Sequence, residues 1–284
     1  MCNLHDLQSV LSAVSELKPN GIVHFAGTLQ PANASNKINH HKILDNNLRI
    51  DSNVIRAAVE LEIPNFLCVS SISAYGEWAN LPFEEKNLYS GPPPSSYFGY
   101  GVSKRLTIDL IKAVNRQTGM NYKCALLGNV YGPHGIYGAS ATVVGNLIDK
   151  IHKAKTAGKD LSLWGTGQEL RSLTYVGDLK DIFEKIMQNS RVIDFINVGN
   201  PKTVSVSCLA KEIADIMKYS KKIYFTGSEY GKNKSRYPDS RQFRELFGDY
   251  PFTTLNRGLE ITVNDFYDVL NEVENPNYGY TKEV

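Results

Sequence analysis

The chain is poor in cysteine and has no pairing motif for the cysteines it does contain. Of its 284 residues only Cys2, Cys68, Cys124 and Cys208 are thiols, and none forms a Cys-x-x-Cys pair. Cys68 and Cys124 sit inside apolar runs that read as strands, so buried, reduced thiols are expected. That pattern favours a reducing compartment, and a cytoplasmic location is the expectation. No run approaches the roughly 20 apolar residues of a membrane span. Met1–Asp6 shows no positive region followed by an apolar stretch, so no signal peptide is read there. There is no basic block and no acidic tail. The net charge is only +2, with acids and bases interspersed, which argues against a nucleic-acid partner. Internal repeats and low-complexity segments are also missing. What remains is 42% hydrophobic content, enough for a large core as one big domain or two small ones.

Apolar runs and helical patterns alternate through the first two-thirds. Leu7 to Leu17 reads as a helix, Gly21–Gly27 as a short strand and residues 43–61 as a helix. Phe66–Ser71 reads as a strand, Tyr100 to Arg116 as a helix and Tyr122 to Val130 as a strand. Leu106, Leu110, Ile111 and Val114 are the expected inner stripe of the helix from Tyr100. Strands separated by helices imply a parallel sheet with helices on both faces. After Tyr131 the elements become shorter and mixed. Residues 132–138 read as a loop followed by a helix through Lys155. A strand and Gly-rich turn fall within 161–175, and a strand at 195–199. A helix is expected at 204–218, a strand at 223–226 and a helix at 239–247.

The chemical signal is Tyr100-Gly-Val-Ser-Lys104. Residues four apart share a helix face. An ammonium beside a phenol favours the phenolate and lowers its pKa from about 10. Such a tyrosine exchanges a proton with an alcohol or carbonyl during hydride transfer. Alone the pattern is weak, because a surface helix produces it by chance. Its context is stronger. Ser71 closes a strand at the carboxyl end, where ligands bind in open α/β sheets, and lies 29 residues before Tyr100.

Here the chain resembles the NAD(P)-dependent epimerase/dehydratase family, the extended short-chain dehydrogenase/reductases. Ordered matches run from about Asp6 to about Tyr267. They are VHFAG (23–27), the Asn46-Asn47 pair read as a helix start, VSSISAYG (69–76), YGVSK (100–104), GNVYGP (128–133), WGTGQELRSLTYVGDL (164–179), INVGNP (196–201) and RYPDSRQFRELFG (236–248). The pattern is nearest to members of the GDP-L-fucose synthase and UDP-glucose 4-epimerase kinds. The resemblance implies a Rossmann-type doubly wound parallel sheet, truncated at its N-terminal side, with a smaller mixed α/β substrate domain. The implied division is 1–131 with 173–200 for the dinucleotide, and 132–172 with 201–284 for the sugar nucleotide.

Residue by residue, the resemblance implies Tyr100 as general acid/base, Lys104 as its partner and a ligand of the nicotinamide ribose, and Ser71 as the hydroxyl on the substrate oxygen. Asp6, Ala26, Gly27 and Asn47, with Tyr100 and Lys104, are the implied contacts of NAD or NADP. Ser73, Asn129, His134, Arg171 and Arg236 are the implied substrate contacts, the two arginines gripping a nucleotide diphosphate. A nucleoside-diphosphate sugar and a second copy of the chain are the implied partners. No metal is expected, because His40-His41 has no third ligand at sensible spacing.

The resemblance is broken at the start of the chain. The family opens with a strand, a glycine-rich turn and a helix whose N–H groups meet the pyrophosphate, and Asn3–Asp6 resembles the end of its third strand. By that reading roughly 50–60 residues lie outside the sequence. The segment is expected to come from another chain, from a longer reading of the gene, or to be lost in a degenerate relative. Weak NAD(P) binding by this polypeptide alone, and an open sheet edge beside Gly21–Gly27, are the consequences. The positions after Ser71 are Ile72 and Ser73, which disfavours dehydratase and decarboxylase chemistry. Ser73 and Thr142 stand where fucose synthases use a cysteine and a histidine, which disfavours 3,5-epimerisation. Hydride chemistry at sugar C4 remains, as a 4-epimerase or a 4-keto reductase. The alternative is a non-catalytic relative that binds sugar nucleotide or a partner.

Overall fold

The computed structural model describes residues 2–28, 39–227 and 235–274. Four parallel strands form the main sheet: β1 (Gly21–His24), β2 (Asn65–Ser71), β3 (Lys123–Leu127) and β7 (Phe195–Val198), adjacent in that order. Helices α1 (Leu7–Leu17), α2 (His40–Glu60) and α3 (Phe98–Thr118) cover one face. Helices α5 (Leu179–Gln188) and α7 (Arg241–Phe247) cover the other. The alternation of strand side chains sorts the two cores. Phe66, Cys68, Cys124 and Leu126 point to the first, and Leu67, Ala125 and Leu127 to the second. This is the doubly wound α/β architecture the alternation of elements implies.

A third core joins β5 (Leu161–Leu163) and β6 (Leu170–Tyr175) with α4 (Val143–Thr156), α6 (Val206–Ile216) and α8 (Leu255–Glu274). Here β4 (Asn129–Tyr131) runs parallel to β6, and β8 (Thr203–Ser205) antiparallel to it, while β5 pairs with β9 (Ile223–Phe225). Among the described residues no helix is long and apolar enough to cross a membrane.

Several local expectations are corrected. The strand expected at 122–130 is two strands in different sheets, parted at Gly128, where the Pro238 ring would sit 3.5 Å from an added Cβ. Strand β1 ends at His24, not Gly27. Helix α2 begins at His40 with Asn39 as its cap, so Asn46-Asn47 lies two turns inside it rather than at its start. On α3 the inner face is Ser103, Lys104, Thr107, Ile108 and Ile111, whereas Leu106 is 42% exposed and Leu110 and Val114 are only partly buried. Asn3–Asp6 is a turn, and Asp6 caps α1 by accepting from the Gln8 and Ser9 amides. Among the described residues β1 pairs with β2 alone, and beside it Val23 and Phe25 are 37% and 57% exposed.

Candidate active site

The site forms where β2 ends and α3 begins. Beyond Ser71 the chain makes a single tight turn, whose first N–H, that of Ser73, is capped by the Ser71 hydroxyl at 3.1 Å. The Ser70 hydroxyl donates to the Lys104 carbonyl at 3.2 Å, tying the strand end to the helix. Arg105 fastens the following loop. Its guanidinium donates to the Ala74, Leu88 and Gly91 carbonyls at 2.7–3.1 Å. Tyr75 reaches across to Asn197 on β7 at 2.8 Å. These bonds over-determine the position of Ser71.

Ser71, Tyr100 and Lys104 converge. The Ser71 hydroxyl faces the Tyr100 phenol, and the Lys104 Nζ lies 6.0 Å from that ring's centre. Lys104 is 4% exposed and donates to the Val69 carbonyl at 3.4 Å. The phenol, however, is not lowered as the motif alone suggests. Burial raises it above the ordinary tyrosine value, and the Lys104 charge and the Ser71 hydroxyl only partly oppose that. Tyr100 is therefore a protonated donor at neutral pH.

Gly27 and Asn47 meet the same volume. A Cβ on Gly27 would stand 3.4 Å from Asn47 Oδ1 and 3.6 Å from Lys104 Nζ, so the missing side chain leaves a cradle beside the ammonium. Asn47 is fully buried. It accepts from the Thr28 amide at 2.6 Å and donates to the Thr28 carbonyl and the Ser103 hydroxyl. Ala26 sits partly buried in the segment between β1 and that clamp. Asp6 is exposed, with its carboxylate committed to the α1 cap.

The substrate-side residues divide. Arg171 on β6 and Arg236 are bridged through their backbones. The Arg236 guanidinium stacks on Phe83 and Tyr97 at 5.0 and 4.9 Å and donates to the Ile72 carbonyl at 3.0 Å. Burial pushes both guanidinium values down; at Arg171 the Glu169 carboxylate opposes this and the Arg236 charge adds to it. Two desolvated cations side by side suit an anion. Tyr97 is a member the sequence reading missed. Among the described residues its buried hydroxyl has no hydrogen-bond partner, beside the Arg236 guanidinium. Ser73 is partly buried on the Ser71 turn. Asn129 spends its amide on the Ser172 carbonyl at 3.3 Å. His134 is elsewhere in character: its side chain is 91% exposed and is paired with Asp265 of α8.

Gly132, Gly135 and Gly138 carry the glycine spacing of a phosphate loop after a strand. The His134 amide in that loop already donates to Asp265 at 2.9 Å, and a Cβ on Gly132 would strike Val176 at 2.3 Å. Gly132 there serves packing.

Comparison with known proteins shows the family and the fold. Residues 1–199 match the model of the NAD dependent epimerase/dehydratase family. The protein named GDP-L-fucose synthase from Dictyostelium discoideum is 26% identical over 274 residues, covering 94% of this chain and 84% of that one. The crystal structure of a GDP-L-fucose synthetase from Naegleria fowleri bound to NADP superposes with a TM-score of 0.84 at 19% identity, over 94% of this chain and 82% of that one. That of MlghC, GDP-mannoheptose C4 reductase from Campylobacter jejuni with NADP bound, gives 0.83 at 24% identity, over 94% and 87%. Both structures share the fold.

Proposed function

The chain belongs to the NAD-dependent epimerase/dehydratase family, and on that premise we propose that it reduces the C4 ketone of a nucleoside-diphosphate sugar with NADPH or NADH. The observation that carries this reading is the partly buried, protonated Tyr100 phenol facing Ser71 above Lys104. A protonated phenol suits donation to a developing alkoxide, the demand of reduction. Relatives named for GDP-L-fucose synthesis and for C4 reduction of a GDP-heptose support the substrate class.

The residues present fit the nicotinamide end of the cofactor. Gly27 leaves room beside Lys104 and Asn47, and these with Tyr100 would hold the ribose and ring. The reduced cofactor supplies the hydride. The chain's own residues do the rest. Ser71 donates a hydrogen bond to the C4 carbonyl oxygen, Tyr100 delivers its proton to that oxygen as the carbon is reduced, and the Lys104 charge stabilises the phenolate left behind until solvent returns the proton. Arg171 and Arg236, with the Tyr97 hydroxyl, take the diphosphate. Ser73 and Thr142 offer hydroxyls, which are poor bases toward a carbon acid, so reduction proceeds without epimerisation at C3 and C5. Phe98 and Leu106, each 42% exposed on α3, support pairing of two copies through that helix.

The test is incubation of the purified chain with NADPH and a nucleoside-diphosphate 4-keto sugar. Stoichiometric loss of reduced nicotinamide with formation of the 4-hydroxy sugar supports reduction. Interconversion of 4-hydroxy epimers without net NADPH loss points to a 4-epimerase. Sugar-nucleotide binding with no turnover points to a non-catalytic binding protein.

A further inference from the structure

Below the Tyr100–Lys104 pair lies a buried cluster drawn from five elements. His24, Cys68 and Cys124 face one another in register across β1, β2 and β3. Asp51 hangs from α2 onto this row, and its side chain is 1% exposed. Its Oδ1 lies 2.8 Å from His24 Nε2, and its Oδ2 accepts from the Thr107 hydroxyl of α3. An ionised carboxylate only accepts, so His24 Nε2 is the donor in this bond. Thr107 is one turn beyond Lys104 on the same buried face of α3.

A buried ammonium needs an anion. Among the described residues the titratable groups whose charge acts on Lys104 are Asp51 from α2, Tyr100 from its own helix, Cys68 from β2 and Cys124 from β3; Asp51 is the one carboxylate among them, and it acts without a direct ion pair to Lys104. His24 completes the shell around Asp51 from β1. We infer that Asp51 is a positioning residue for the Tyr100–Lys104 pair: its carboxylate, fixed between His24 and the Thr107 hydroxyl one turn along α3 from Lys104, is the buried counter-charge that keeps the Lys104 ammonium charged under the phenol. Its ionisation follows the geometry. Burial alone would raise Asp51, but the His24 bond, the Lys104 charge and the Thr107 bond hold it below the ordinary carboxylate value. Burial would lower Lys104, but Asp51 first and Tyr100 next hold it above the ordinary lysine value. The donor atoms of His24, Asp51 and Cys68 lie within 4.8 Å of one another, a spacing that suits a metal. The His24–Asp51 bond and the Lys104 charge both oppose a cation there.

The catalytic meaning of this link rests on the reductase reading, but its test does not. The Lys104 Nζ ionisation is followed by NMR on chain labelled with ¹³C at lysine, with the signal identified by its loss in Lys104→Met. In the wild type the midpoint is expected above the free-lysine value of about 10.4. In Asp51→Asn it should fall by about one unit or more, and Asp51→Glu should restore part of the shift. A natively folded Asp51→Asn chain with an unchanged midpoint overturns the inference. So does a wild-type midpoint below that of free lysine, a result that needs no variant to fold. With the shift present, kcat is expected to fall in Asp51→Asn while KM stays near the wild-type value. A shifted lysine in a chain that turns over no sugar nucleotide sinks the proposed reaction and leaves the Asp51–Lys104 link standing.

Discussion

The Ser71 hydroxyl at the end of β2 faces the Tyr100 phenol in the first turn of α3. A strand end and a helix start therefore act as one proton-handling unit, and its environment fixes when it works. Burial holds the phenol above the ordinary tyrosine value, with Lys104 and Ser71 pulling the other way. The donor form is thus present throughout the neutral range. The rate of ketone reduction is expected to be flat there and to fall only as pH rises through the phenol's raised pKa. Removing the downward pull with Lys104→Met should move that alkaline limb further up. A profile of kcat/KM against pH checks this, and a limb that falls near neutrality contradicts it.

Arg236 is held by Phe83, Tyr97 and the Ile72 carbonyl, so its guanidinium is pre-organised. Losing one charge-assisted contact to a diphosphate costs about 2 kcal/mol. Arg236→Ala is expected to raise the Kd for a nucleoside diphosphate on the order of 30-fold, as read by calorimetry. Tyr97→Phe should weaken binding by less. Affinity unchanged in both would remove the anion site.

Arg105 gives four hydrogen bonds to three backbone carbonyls of the loop after Ser71. Arg105→Lys cannot reach all three from one ammonium. It should cost about 2–3 kcal/mol of stability, seen as a lower denaturant midpoint with an unchanged slope. A midpoint within error of the wild type would show that the loop is held by other contacts.

Asp51 also sets an acid limit. Its folded-state value is below the unfolded one. Its contribution is therefore complete above the ordinary carboxylate value of about 3.9 and is lost as pH falls through the lower, folded value. Asp51→Asn should be less stable at neutral pH and should lose less on further acidification. Denaturant melts at neutral pH and below about pH 4 measure the difference. Parallel losses in the two proteins would exclude the link.

The sequence made some of this visible and hid the rest for physical reasons. Helix α1 is legible to the residue because its apolar spacing is regular, whereas the capping role of Asp6 is not read from the sequence. The Tyr100–Lys104 relation was readable because it is local to one helix. The inner face of α3 is legible in part: Ile111 is fully buried and Leu110 and Val114 pack against the core, but Leu106 points outward while Ser103, Lys104 and Thr107 take buried positions that serve the site. The break at Gly128 is tertiary: strand-like residues continue on both sides, and the Pro238 contact comes from far along the chain. Helix α5 went unread although Leu179, Ile182, Phe183 and Ile186 carry its periodic stripe. The His24–Asp51 pair spans 27 residues and two elements, and no local pattern announces it. Tyr97 could be found only from its buried hydroxyl, because nothing in its neighbourhood marks it as chemical.

The most direct measurement is the consumption of reduced nicotinamide, at saturating NADPH and a nucleoside-diphosphate 4-keto sugar, by wild-type chain and by Tyr100→Phe. The wild type is expected to turn over, and the variant to lose a factor of roughly 10²–10⁴ while still binding the sugar nucleotide and melting at the same temperature. Equal turnover by the two proteins would contradict the role given to Tyr100.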